Sequence, residues 1–168
     1  FSSIEIIGVS LPKMTFISEA SIVLWTQDNE GGIGVKKTEY SFDNGATWQE
    51  YVGTTTISEY GEHTILYRSE DWFGNLEEAK SETFWVVTVR ELLQDVLSNL
   101  QEVSINKKAI KQLELALDDK FWIDNNHLVN NGGQSVFSHL KNAARHISEL
   151  EGMEEIEWKI NLASEVLV

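Results

Sequence analysis

Asp71, Asn75 and Glu77 set three oxygen donors on one predicted turn, and Asp28 and Glu30 set two more on another. Calcium takes six to eight oxygens, so these five residues would hold it only if both turns met and backbone carbonyls completed the shell. The alternative is architectural: Asp71 bonds the N–H groups of the Phe73-Gly74-Asn75 turn and caps it, with Gly74 and Asn75 supplying left-handed geometry. Beside Asp71 stands Trp72, the tryptophan whose loop position predicts exposure. An exposed indole offers a flat apolar face with a polar edge, which suits stacking against a sugar ring, so Trp72 is the candidate glycan contact. Trp25 and Trp85 lie in apolar strand-like runs and are expected in the core.

Other chemistry-bearing residues are thinly spread. His127 follows Asp124 by three positions, but no second ligand stands at i+4, and a hydrogen bond within its loop is the simpler role. The spacing of Asp118, Asp119 and Asp124 does not match a calcium-binding EF-hand loop, and His139 and His146 are two helical turns apart, too far to chelate one ion. The sequence holds none of the patterns G-x-S-x-G, H-E-x-x-H, G-x-x-x-x-G-K-[ST] or G-x-G-x-x-G, and Gly31-Gly32-Ile33-Gly34 lacks the helix start that phosphate binding needs. The chain therefore reads as non-catalytic and without a cofactor, calcium excepted.

Ser41 to Trp48, Ser-Phe-Asp-Asn-Gly-Ala-Thr-Trp, is a hairpin written in residue types. Asp43 can accept N–H bonds across the turn, Asn44-Gly45 supplies positive φ, and Thr47-Trp48 restarts a strand with the indole free to cover an apolar face.

Around this hairpin the first half alternates short apolar runs with turn residues. Strands are predicted at 3–9, 20–26, 35–42, 54–57, 62–69 and 82–89, with turns at Asp28 to Gly32 and Tyr51 to Gly53. Six or seven short strands in fewer than 90 residues fit a small antiparallel sandwich. After Val89 glycine becomes scarce and the apolar period lengthens. Leu92, Leu93, Val96, Leu97 and Leu100 mark one helix. A second, capped by Ser104 or Asn106, carries Ile110, Leu113, Leu115, Ala116 and Leu117. A third follows Asn130-Asn131-Gly132-Gly133 with Val136, Phe137, Leu140, Ala143, Ala144, Ile147 and Leu150. A fourth runs from Met153 to Leu167. Four amphipathic helices on short loops predict an up-and-down bundle.

Composition sets the limits. The formal charge is −14, with 14 acidic against 5 basic residues (net −9) in residues 1–87. No basic face is available to release phosphate counterions, so nucleic acid is a poor partner. With no cysteine, disulfides and thiolate metal sites are excluded. No apolar run approaches the roughly 18 residues of a membrane span. The start at Phe1-Ser2-Ser3, without Met or a basic segment, leads us to expect a piece of a longer protein, with any signal peptide or anchor outside it.

The octapeptide at Ser41 resembles the Asp-box, S-x-D-x-G-x-T-W, of secreted sialidases and other extracellular β-proteins. A sialidase propeller would need several such blades, and one copy is present. A longer pattern is more specific. Tyr40-Ser41-Phe42-Asp43-Asn44-Gly45, Trp48-x-x-Tyr51, Gly61-Glu62-His63-Thr64-Ile65-Leu66-Tyr67-Arg68-Ser69 and Asp71-Trp72-Phe73-Gly74-Asn75-Leu76-Glu77 fall in the order seen in bacterial and archaeal Ig-like modules of surface proteins. Asn44 stands where that family has glycine, and Phe73 where it usually has alanine. Trp122-Ile123-Asp124-Asn125-Asn126-His127-Leu128, with the helices on either side, is similar to the W-x-D-x-x-H-L segment of helical modules that follow Ig-like repeats in exported multidomain proteins.

These resemblances imply an immunoglobulin-like sandwich over residues 1–88 followed by a helical bundle over 89–168, exported or at the cell surface. They imply a spacer or interaction module whose partners are other domains of the parent protein or a surface protein. A carbohydrate-binding module using exposed tryptophan, and a calcium-stiffened adhesion module, are the alternatives. No proline- or glycine-rich linker falls near 86–90, which predicts a stiff junction.

Overall fold

A computed structural model of the chain describes residues 1–11, 13–28, 31–103, 106–129 and 133–167. Glu30, Ser104, Asn130, Asn131 and Gly132, singled out above, lie outside the described residues. The chain divides into two compact units, Phe1–Val87 and Thr88–Val168.

The first unit is a β-sandwich-like region with nine strands among the described residues: β1 (Ser2–Ile7), β2 (Ser10–Leu11), β3 (Thr15–Ile17), β4 (Ala20–Thr26), β5 (Val35–Ser41), β6 (Gln49–Glu50), β7 (Thr55–Ile57), β8 (Gly61–Asp71) and β9 (Lys80–Val87). One sheet runs β1-β4-β7 and the other β2-β3-β9-β8-β5-β6. All pairings are antiparallel except β3 with β9, which is parallel. Ala20, Ile22 and Leu24 of the first sheet pack with Phe16, Ile65, Tyr67, Phe84 and Val86 of the second in a single buried cluster. Phe16 and Phe84 meet edge to face with centroids 6.2 Å apart, a favourable geometry for aromatic pairs.

Strand parity overturns the expectation for Trp25 and Trp85. Successive side chains point to opposite faces of a strand. Because Ala20, Ile22 and Leu24 face inward, Trp25 faces out and is 59% exposed. Because Phe84 and Val86 face inward, Trp85 faces out and is 44% exposed. Trp25 is held on its face by a 3.2 Å bond from Nε1 to Glu5 Oε2 on the neighbouring strand.

The last strand ends at Val87, not at Val89. Thr88 caps the first helix of the second unit, whose elements are α1 (Val89–Glu102), α2 (Lys107–Ala116), α3 (Gly133–Ile147) and α4 (Glu154–Val166), with a 3₁₀ turn at Asp119–Phe121 between α2 and α3. Asn106 caps α2 by accepting from the Ala109 N–H. Helix α1 packs against α2 and α4, and α3 against the same two. Leu93, Leu100, Leu113, Leu140, Ile147 and Ile160 are fully buried, each contributing about 2 kcal/mol through apolar burial. No helix among the described residues is long and apolar enough to cross a membrane.

Candidate functional site

Strand β8 is eleven residues long and ends at Asp71, where the chain must turn back toward β9. Asp71 makes that turn. Its Oδ1 accepts from the N–H groups of Phe73 (2.8 Å) and Asn75 (2.9 Å), and its Oδ2 from Asn75 Nδ2 (2.7 Å). The Asn75 bonds foremost hold the Asp71 carboxyl below its usual range. Gly74 takes a φ of 84°, which relieves a position where a Cβ would be strained. The turn thereby lifts Trp72 and Phe73 into solvent, 64% and 77% exposed.

A cleft of about 300 Å³ opens beside this turn. Its polar wall includes Asp28, Asp71, Asn75 and Glu77, and its apolar wall Phe1, Val35 and Leu76. Four of the residues considered for calcium thus line one cleft, while Glu30 lies outside the described residues. Their carboxylates, however, turn to protein donors. Glu77 Oε2 accepts from Ser2 Oγ at 2.5 Å, and Oε1 from the Ser2 N–H at 3.1 Å and from Lys80 Nζ. Burial opposes ionisation of Glu77, but the bonds from Lys80 and Ser2 outweigh it and bring its pKa down to about 2. Among the described residues no three of His, Cys, Asp and Glu are grouped so as to hold a metal ion.

Asp28 connects the cleft to Trp72. Its Oδ2 accepts from the Gly34 N–H at 2.5 Å, and its carboxylate lies so close to Gly32 that a Cβ there would fall 2.1 Å from Oδ2. Gly34, at φ +99°, lies beneath Trp72: a Cβ on it would be 3.5 Å from the indole Cδ1 and 3.7 Å from Nε1. A residue of the cleft wall therefore fixes the backbone on which the exposed indole rests.

The Asp43 hairpin is closed on itself. Ser41 Oγ donates to Asp43 Oδ1 at 2.6 Å and accepts from the Gly45 N–H at 2.9 Å. Asp43 also accepts from Thr47 N (2.8 Å) and Thr47 Oγ1 (2.5 Å). Bonds from Ser41 and then Thr47 bring its pKa down to about 2. Asn44 and Gly45 have φ of 57° and 84°, and the Ala46 N–H returns to the Asp43 carbonyl at 3.3 Å. The strand resumes at Gln49, one residue after Trp48. Arg68 lies over the Trp48 ring at 3.7 Å and bonds Glu39, itself bonded to Lys37. Burial works to raise the Glu39 carboxyl, but these two cations hold it below its ordinary value.

In the second unit, His127 Nδ1 stands 2.8 Å from both Asp124 oxygens, and Asp124 Oδ1 also accepts from the N–H groups of Asn126 and His127. The bond from the Asn126 amide, then those from His127, hold the Asp124 carboxyl low. His139 pairs with Gln112 at 2.8 Å. Sequence reasoning missed the contributions of Ser2, Gly34 and Lys80 to the cleft, because each acts on a residue 38 or 75 positions away or through a partner visible only once the strands are paired.

No protein-family model matches the chain, and no curated protein matches it. Among solved structures it is similar to the fibronectin(III)-like modules of Clostridium thermocellum CbhA, at 13% identity and a TM-score of 0.36, covering 51% of this chain and 98% of that one. It is also similar to a β-1,2-glucanase from Parabacteroides distasonis, at 12% identity and a TM-score of 0.27, covering 90% of this chain and 32% of that one. Both likenesses are too distant to bear on fold or activity, and nothing about this chain rests on them.

Proposed function

We propose that the chain is a non-catalytic accessory pair, an immunoglobulin-like sandwich followed by an up-and-down helical bundle, that spaces or positions neighbouring domains of an exported or cell-surface protein. The strand order supports the first part: β1, β4 and β7 form one sheet and β5, β8 and β9 the body of the other, as strands A, B, E and C, F, G do in an immunoglobulin sandwich. The observation that carries the functional reading is where the motif carboxylates point. Asp43, Asp71 and Asp124 each direct their oxygens at donors of their own loops, which is the behaviour of turn-forming residues rather than of an acid, a base or a nucleophile. The passage from β9 to α1 takes one residue, Thr88, so the two units follow each other without a linker.

Replacing residues 1–168 in the parent protein by a glycine-serine linker of equal reach tests this. Loss of partner binding, or lowered stability of the adjoining domains, is the expected result. An unchanged parent in binding, stability and surface display on intact cells would sink the proposal.

A further inference from the structure

We infer that the cleft beside the β8–β9 turn, together with Trp72, which follows the cleft residue Asp71 in that turn, is a binding site for a pyranose unit of a neutral glycan. The inference rests on reading the chain as a binding or positioning module rather than a catalyst. Three features of the first unit converge on it. The cleft, at about 300 Å³, sits at the small end of ligand pockets and combines an apolar wall with a few polar groups. The polar groups are hydroxyl-matching: the carboxylates of Asp28, Asp71 and Glu77 and the side-chain amide of Asn75. Each carboxylate is fixed by bonds within the protein, and a carboxylate with about four lone-pair positions retains acceptor capacity for sugar O–H groups.

Charge is nearly balanced, with four carboxylates lining the cleft against three ammonium groups, which suits a neutral ligand. Glu70, which also lines the cleft, is paired with Lys36 and Lys37, and Glu77 with Lys80, so three ammonium groups offset the carboxylates locally. The indole is what turns a polar cleft into a sugar site. Trp72 rests on Gly34, and Gly34 is held by Asp28 of the cleft wall, so the exposed ring is supported at a set position rather than swinging freely. Pre-ordering of this kind removes part of the entropy cost of binding.

Trp85 supplies an internal control. It is an exposed indole paired opposite Glu62 near the start of β8, nine residues from Asp71 and so about 30 Å along the strand. The test is affinity electrophoresis of the full chain through native gels containing galactomannan, hydroxyethyl cellulose or dextran, with polygalacturonate as the anionic control. Retardation is expected in at least one neutral gel. Trp72→Ala should weaken it about tenfold, the scale of a lost aromatic stack. Trp72→Tyr should keep part of it, and Trp85→Ala should leave it unchanged. No retardation in any neutral gel, equal retardation of wild type and Trp72→Ala, or binding of polylysine in place of neutral glycan would each overturn the inference. Any of these alongside a parent protein impaired by linker replacement would leave the accessory reading standing, which separates the two failures. Urea midpoints equal to wild type certify that the variants are folded.

Discussion

Glu77 ties the start of β1 to the β8–β9 connection by gripping Ser2, 75 positions earlier, through both the hydroxyl at 2.5 Å and the backbone N–H at 3.1 Å. Lys80 completes the set by bonding Glu77 and, at 2.6 Å, the Ser2 carbonyl. The carboxyl has an ordinary pKa of 4.5 and is brought down to about 2 in the folded protein. A depressed folded pKa means that the stabilisation is fully present above pH 4.5 and is lost as pH falls toward 2. Glu77→Gln should therefore cost about 1 to 2 kcal/mol near neutral pH, a figure held down by solvent screening. The gap from wild type should close between pH 4.5 and 2. Urea unfolding of the full chain across that range checks it; a gap independent of pH would show that the Glu77 charge is not what holds Ser2.

Phe84 and Trp85 are neighbours in sequence and opposites in energy. Phe84 is fully buried against Phe16 and stacks with His63, at centroid distances of 6.2 and 5.4 Å, while Trp85 faces out from the sheet. Phe84→Ala should destabilise by about 3 to 5 kcal/mol, since it leaves a cavity in a packed core. Trp85→Ala should cost under about 1 kcal/mol. Comparable losses for the two variants, measured by urea unfolding, would mean that the strand faces are assigned the wrong way round.

That pair also shows what the sequence could and could not tell. The run Ala20–Thr26 is β4 to the residue, and Asn44-Gly45 announced its turn, because both signals are local: β-branched alternation and positive φ. Orientation was lost in runs such as Phe84-Trp85-Val86-Val87, where every residue is apolar and period two has nothing to contrast. The strands β2, β3 and β6, of two or three residues, exist only through pairing of β2 with β3, β3 with β9 and β6 with β5, and no local propensity could mark them. The cleft was half legible. Asp71, Asn75 and Trp72 stand in one turn and were readable together, whereas Ser2 against Glu77 and Gly34 beneath Trp72 depend on strand order. One missed signal was local: Thr88-x-x-Glu91 matches a capping box, yet the valines before it drew the predicted strand on to Val89.

The capping box at Thr88 is complete and buried. Thr88 Oγ1 accepts from the Glu91 N–H at 3.0 Å, the Thr88 N–H donates to Glu91 Oε2 at 2.9 Å, and Thr88 is fully buried. Thr88→Ala removes the acceptor for one helix N–H and should cost about 1 to 2 kcal/mol, with Thr88→Ser recovering most of it. Hydrogen exchange should quicken first at residues 89–92. Uniform quickening across α1 with no difference between Ala and Ser would point to lost methyl packing instead of a lost cap.

Calcium should leave the chain's stability unchanged. A site that bound the ion a hundredfold above its Kd would gain about 2.7 kcal/mol, enough to raise Tm by several degrees. Asp71 and Glu77 would have to release five bonds to protein donors to serve as ligands, namely those from Phe73 N, Asn75 N and Asn75 Nδ2 and the two from Ser2, besides the contact with Lys80. The expected outcome is the same Tm in EDTA and in millimolar calcium, with Asp71→Ala lowering Tm equally in both. A calcium-dependent rise that Asp71→Ala abolishes would show instead that the turn rearranges into a ligand set, and that its carboxylates do more than cap.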